Sequence, residues 1–528
     1  MKRLLAPALL LTLIVAGCSK GNFSERGAAG KVGTFRYAIA ANPTTLDPGK
    51  VQDVDTSDLI VNVYEGLVAY DDHNTIKPQI AESYSSPDNG KTWVFKLRHG
   101  VKFHNGREVT ADDFSWSLDR NCSKEIASPT ARDYLSDIVG VEDRFNGKTD
   151  HIAGVKVVDP YTLQIELDQP RPYFIGKMTY PCAFVLCKEG VGTGSIDKAA
   201  QAIGTGPFKL ESFFPEQQVN LAANKDYYEG PPKVDRIERP VIKDDATRLM
   251  KFKNGELDTA NLDRKDIAGV LADSKLKSQL QYQQRPAVFY IGLNQFECPQ
   301  LKDAHVRRAI AMAIDRHRIT HDLLGDMPEA HGLVSPGVMG FREDYKGLPY
   351  NPAGATAELA EAGYPDGKGF PALELVYKDG AGDGQLCCEA VQQALKQNLG
   401  ISISVRAMEW GTLLQNRNQN KLQLYYLSWY ADYLDPQNFL SFLFESDAKL
   451  NHDGYKNAEF DDLCKKADSI MDEKQRIALY NRAEDILVLD AARIPIFYQR
   501  DAILVSPRVS GLRSNLFGQM PNTAVSVK

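Results

Sequence analysis

The sequence predicts an α/β protein divided into several lobes, and three observations carry that prediction. At 528 residues the chain is too long for one ordinary core. Strand-like alternation and helix-like apolar spacing take turns along it. The composition, 43% hydrophobic and 25% charged without a block of like charge, is that of a globular protein, and 40 Gly with 27 Pro supply many turns. The 23 Tyr and 22 Phe imply an aromatic-rich interior or cleft. A net charge of −7 argues against a phosphate-backbone binder, which needs clustered Lys and Arg, so no nucleic-acid partner is expected.

The first element is a processing signal. Lys2-Arg3 precedes an apolar run from Leu4 to Ala16, which closes in Val15-Ala16-Gly17-Cys18. That run is shorter than the about 20 residues a membrane helix needs, so it reads as a leader. It resembles a bacterial lipoprotein signal over residues 1–17, with Cys18 as the lipidated first residue of the mature chain. Several acyl chains on one cysteine give stable anchoring where one is marginal. An ordinary secretory leader with an incidental cysteine is the plainer alternative. Residues 18–31 are small and polar and read as a flexible tether. Seven cysteines follow (Cys122, Cys182, Cys187, Cys298, Cys387, Cys388 and Cys464), an odd number that leaves at least one thiol unpaired; Cys182 and Cys187 are the nearest plausible pair.

Beyond the tether, Thr34 to Ala40 alternates as a first strand, and Asp58 to Val68 carries helical spacing. Trp93 to Leu97 and Val101 to Phe103 read as paired strands joined by His99-Gly100. Thr110-Ala111-Asp112-Asp113 then caps a helix with acid in its first turn. Here the sequence strongly resembles a known family. The combination of a strand, Arg98-His99-Gly100-Val101-Lys102-Phe103-His104-Asn105-Gly106 and Val109-Thr110-Ala111-Asp112-Asp113-Phe114 is similar to the signature of the oligopeptide- and dipeptide-binding proteins of ABC importers, family 5 of the bacterial extracytoplasmic solute-binding proteins. Gly206 to Leu210, Asn224 to Tyr228, Gly255 to Asp258 and the amphipathic helix Asp303 to Ile319 resemble the family in the same order, over essentially all of the mature chain. Helices over Ala355 to Ala362 and Leu386 to Leu399, each closed by a glycine, come next. A strand at Ile401 to Val405, a long helix from Asp472 to Asp490 and a strand at Pro495 to Tyr498 complete the chain.

The resemblance implies a type II periplasmic-binding-protein fold (cluster C) with two hinged lobes and an extra domain. One lobe is expected from residues 32–68, 193–286 and 500–528, the extra domain from 69–192, and the other lobe from 287–499. Closure over a cleft is then hinge motion, favoured by a ligand that touches both lobes.

The stretch Met408 to Phe444 concentrates the binding candidates. Alternation around Leu422, Leu424 and Tyr426 leads a strand into Trp429, and Asp435-Pro436 stops it. Asp432 then lies just past a strand end, where open α/β sheets place ligands. In peptide-binding relatives the aspartate of W-x-x-D-x-x-[DE]-P holds the ligand's α-amine, and Trp429, Asp432, Asp435 and Pro436 match that motif. A turn-capping role is the alternative for Asp432, and Asp435 is expected to shape the turn. Trp410 and Trp429 match tryptophans lining side-chain pockets, as against core packing. Arg417 matches an arginine that meets a ligand carboxylate, as against a solvated helix position. Tyr290 is a further candidate ring for the cleft, its alternative being the strand core. Departures are also visible. Tyr426 stands where the relative has a second arginine, Thr56 with Asp55 beside it where it has an acid, and Ala287 and Tyr430 where it has a disulfide.

The sequence holds no G-x-S-x-G elbow, Walker loop or H-E-x-x-H, so no enzyme is expected and no cofactor or metal is called for. His317 and His321 have a ligand-compatible spacing but no third partner. The resemblance implies a monomeric, lipid-anchored receptor in the cell envelope, periplasmic or extracytoplasmic, that passes short peptides to an ABC permease. A dedicated ligand such as a nickel chelate, haem or opine is the alternative within the fold, and a surface adhesin or signalling lipoprotein a third reading.

Overall fold

The computed structural model describes residues 33–192 and 194–528, so the leader, Cys18 and the tether lie outside the described residues. The first of its sheets runs Thr34–Arg36, Arg236–Pro240, Gln218–Ala223, Phe208–Phe214. Thr34–Arg36 lies parallel to Arg236–Pro240, with Phe35 opposite Ile237. Those two side chains enter one core with Leu59, Val63 and Leu221, closed by Val525 and Val527 from the far end of the chain. Helix Val54–Val63 lies on this core. Asp53 caps it, accepting the Thr56 N–H at 2.8 Å, because one turn of orphan amides needs an acceptor there.

A second, antiparallel sheet (Ala81–Ser85, Thr92–Leu97, Thr162–Glu166, Val155–Asp159) packs Trp93, Phe95 and Leu163 against Phe114 and Leu118 of helix Ala111–Asn121. The expected pairing of 93–97 with 101–103 is not formed. Thr92–Leu97 pairs with its sheet neighbours, and Val101 to Phe103 folds back on Arg107 to Val109 instead. Gly106, at φ +90°, closes that tight return. Arg107 then forks onto Asp113 at 2.7 and 3.0 Å, and Asp113 also accepts the Thr110 N–H at 2.9 Å. The family-like signature is therefore structural. It also joins this domain to the first core. His104 meets the Gly206 carbonyl at 2.9 Å, and Arg120 donates to Asp47 at 2.5 Å with both side chains at most 5% exposed. Leaving either charge of such a pair alone costs about 3–5 kcal/mol.

The largest sheet runs Thr259–Asn261, Arg493–Val505, Leu280–Leu293, Leu424–Tyr430, Leu373–Lys378, Ile403–Met408. Two of its strands, Leu280–Leu293 and Arg493–Val505, are long enough to cross between lobes. Their ladder is regular from Leu280 to Gln284 and resumes at Val288. Pro286 sits in the interruption, where a residue without an N–H costs the ladder least. Leu504 enters a small core with Leu249 and Phe252, whereas Ile494, Ile496 and Phe497 enter the core of the other lobe. The interruption falls where the two strands pass from one core to the other.

All seven described cysteines are buried and free, so the Cys182–Cys187 pair is not made; Cys187 faces Asn105 and Glu189, at 3.3 and 3.2 Å. Ala287 and Tyr430 are direct partners across the antiparallel ladder. Among the described residues, no helix is long and apolar enough to cross a membrane.

Candidate ligand-binding site

Strand Leu424–Tyr430 ends beside that interruption, with Tyr430 opposite Ala287, and the next turn carries Asp432 into a cavity of about 320 Å³. Three parts of the fold wall it: Asp53 to Ser57 at the start of the first long helix, Tyr180 beside the second sheet's core with Phe184 from the first core, and Tyr430 to Asp432 after the strand. Two further cavities continue from it. One, of about 290 Å³, shares Asp55, Asn261 and Arg285 with the first. The other, of about 590 Å³, shares Asn261 and Asp501. Together they form one cleft along the seam between lobes, of a size that suits a small extended ligand.

Asn438 fixes Asp432. Its side-chain oxygen accepts both the Asp432 N–H and the Trp429 indole N–H at 3.0 Å, and its amide donates to the Asp432 carboxylate at 3.3 Å. Tyr134 lies near that carboxylate and stacks on Tyr180 at 3.8 Å. Among the described residues no Lys, Arg or His pairs with Asp432. Burial therefore pushes its carboxyl up to about 6, only partly offset by Tyr134 and Asn438. Asp435, three residues on, has the opposite setting. It is buried, caps the next turn at Gln437 and pairs with Arg476 at 2.9 Å. One aspartate is spent on the fold, and the other faces the cleft without a counter-ion.

The remaining candidates separate. Trp429 rests on the lobe core beside Phe442 and reaches Asp432 only through Asn438. Trp410, at 44% exposure, walls the 590 Å³ cavity with Lys378 over its ring. Arg417 lines none of the three cavities and bonds its neighbour Asn418 at 2.8 Å, because its helix turns that face away. Tyr290, 1% exposed, lies in the core against Arg493 at 4.1 Å, so it is the strand-core residue of the alternative and not a ring of the cleft. Thr56 is buried in the helix cap, where it receives the Thr44 N–H, and Asp55 beside it opens into the cleft. Tyr134, Tyr180 and Asn438 were not singled out in the sequence. Asn438, six residues past Asp432 in the same polar turn, carried the better signal.

His317 and His321 stack at 5.3 Å, but the carboxylates of Asp322, Asp326 and Glu329 hold them as surface pairs. No group of three ligating side chains able to hold a metal occurs among the described residues.

Two lobes joined by crossing strands over a charged cleft define a hinged solute-binding protein. The comparisons with known proteins agree. The model of the bacterial extracellular solute-binding proteins, family 5 Middle, matches residues 75–451, and the chain belongs to that family. It is 32% identical over 491 residues to the probable deoxycholate-binding periplasmic protein YgiS of Escherichia coli, covering 90% of each chain. It is 28% identical over 482 residues to the periplasmic oligopeptide-binding protein OppA of the same organism, covering 88% of this chain and 87% of that one. The structure of the Escherichia coli murein tripeptide binding protein MppA superposes with a TM-score of 0.81 at 26% identity, over 95% of this chain and 99% of that one. These relatives are binding proteins and not enzymes.

Proposed function

We propose that this protein binds short peptides in the cleft, with the ligand's α-ammonium on Asp432, and delivers them to an ABC permease. Asp432 is the observation that carries the reading. A carboxylate held at fixed depth by Asn438, facing a cavity and lacking a cation, is what an incoming ammonium needs, since an unpaired buried ammonium is costly. The motif Trp429, Asp432, Asp435, Pro436 and relatives named for oligopeptides and a murein tripeptide support it. Main-chain pairing along the cleft would add affinity without side-chain preference. Attachment to the membrane through Cys18, and a monomeric receptor, belong to the same proposal.

A second reading rests on the 590 Å³ cavity, walled by Phe289, Tyr426 and Trp410. Such a wall, and a relative named for deoxycholate, favour a bulky apolar carboxylate. Native mass spectrometry of the mature protein, taken from purification without denaturation, separates the two. A spread of bound masses fragmenting as peptides is expected. One discrete non-peptide mass would replace the first reading with the second.

A further inference from the structure

The turn after strand Leu424–Tyr430 divides its side chains between two cores. Ala431 and Leu434 enter the core of the largest sheet with Tyr480 and Leu487, and the pair of Asp435 with Arg476 pins the turn to that side. Tyr433, 1% exposed, enters the second sheet's core instead. It stacks on Tyr173 at 6.3 Å and meets Tyr134 edge-on at 6.5 Å. Gly176 closes this socket, since a Cβ there would stand 3.1 Å from the Tyr433 Cβ. Tyr433 lines none of the three cavities, whereas its neighbour Asp432 faces the first of them.

Little else apolar bridges the seam. Among the described residues beyond 287, Tyr433 and Met471 alone pack on the second sheet's core, and Met471 is a half-buried contact against Gly90. The Tyr70 hydroxyl adds a polar contact, accepting the Leu434 N–H at 3.0 Å. A fully buried aromatic ring dominates the energy of so thin a contact. Because Asp432 and Tyr433 are covalent neighbours, the seated ring fixes the carboxylate opposite the wall of Asp53 to Ser57 and Tyr180. A ligand touching both Asp432 and that wall stabilises the same joined arrangement as the socket does, so the two are coupled.

We infer that Tyr433 is the latch of the cleft: its ring, seated between Tyr134, Tyr173 and Gly176, holds the two cores together around a peptide on Asp432 and sets how slowly that peptide leaves. The inference rests on the peptide reading above and adds to it a positioning residue that acts through Asp432.

The test is stopped-flow displacement of trialanine from the mature protein, in wild type, Tyr433→Ala, Tyr433→Phe and Gly176→Ala. Gly176→Ala crowds the socket from the opposite side and keeps the tyrosine, so it decides the matter should Tyr433→Ala fail to fold. Both are expected to speed dissociation roughly 10- to 100-fold, part of what a buried ring contributes, with little change in association. Tyr433→Phe gives up the hydroxyl's bond to Gln437 but keeps the ring, and should stay within about threefold of wild type. Melting separates a latch from ordinary packing: in the latch variants the rise in melting temperature that trialanine gives should shrink, beyond any change in the empty protein. Dissociation at the wild-type rate in the folded variants, an undiminished rise, or a Tyr433→Phe as fast as Tyr433→Ala overturns the inference. Asp432→Asn controls the reading beneath it. If that variant abolishes trialanine binding while the latch variants release at the wild-type rate, only the present inference fails. If trialanine does not bind, or binds Asp432→Asn as tightly as the wild type, both fail.

Discussion

Replacing Asp432 by Asn should stabilise the empty protein and disable it at once. The side chain keeps its size and can still meet Asn438 and Tyr134, but the charge is gone. In the folded protein the Asp432 carboxyl holds its proton up to about pH 6, against an ordinary value of 3.8, because burial disfavours the ionised form. The folded state therefore binds more protons than the unfolded one between about pH 4 and 6. Stability contributed by this group falls as pH rises through that window, and the deficit persists at neutral pH. A shift of about two units corresponds to on the order of 1–3 kcal/mol, which Asp432→Asn recovers at pH 7 and does not recover at pH 4. Ligand binding runs the other way. Removing one member of a buried ion pair costs about 3–5 kcal/mol, or roughly two to four orders of magnitude in affinity. Thermal melts of both proteins at pH 4 and 7, with calorimetry using a tripeptide and its N-acetylated form, measure both effects. The reasoning is refuted if the variant binds the free tripeptide as tightly as the wild type, or if its melting temperature gains nothing at pH 7 over pH 4. Other buried acids, among them Asp468 at about 6 and Glu65 at about 7, shift the wild-type curve in the same direction. For that reason the comparison is between wild type and variant and not of one curve alone.

Three further outcomes follow from the geometry. Asp435→Asn leaves Arg476 buried without its carboxylate and should cost about 3–5 kcal/mol of stability in denaturant melts; an unchanged midpoint would mean the pair is not closed in solution. Tyr290→Phe keeps the ring against Arg493 in the core and should leave peptide affinity within about twofold, so a large loss in calorimetry would return Tyr290 to the cleft. The double substitution Ala287→Cys with Tyr430→Cys places two thiols on facing ladder positions, and an added oxidant that takes up their two electrons should cross-link them, which mass spectrometry detects as the loss of two hydrogen atoms. Two free thiols at those sites after oxidation would contradict the register.

Much of the fold was legible because its signals are local. The cap at Thr110, the alternation into Trp429 and the glycine stop at Gly400 are each decided within a few residues, and each stands where the sequence places it. The strand pairing around Val101 was misread for the complementary reason. Trp93 to Phe95 has apolar alternation on both sides, and only the arrival of Thr162–Glu166, some 70 residues later, decides which neighbour it takes. Side-chain direction is equally non-local. Arg417 and Trp410 share one helix, Trp410–Asn418, yet only the tryptophan faces the cleft, which depends on how that helix docks.

The two aspartates of the Trp429 to Pro436 motif carry this argument furthest. They lie three residues apart in one turn, and the proline after Asp435 marks it as the turn-shaping acid without showing what neutralises it. What separates them is a partner 41 residues downstream. Arg476, on helix Glu473–Leu489, reaches Asp435 and stops there, while Asn438 gives Asp432 position without charge. A neutral brace holds the carboxylate in place and leaves its charge for a cation that arrives from solution. An arginine in place of Asn438 would bring a charge to Asp432 but no acceptor for the Trp429 and Asp432 N–H groups, so it would lose the brace as well as the reason for a cationic ligand to enter. The polar but uncharged character of position 438 is thus as much a condition of the proposed binding as the charge at 432.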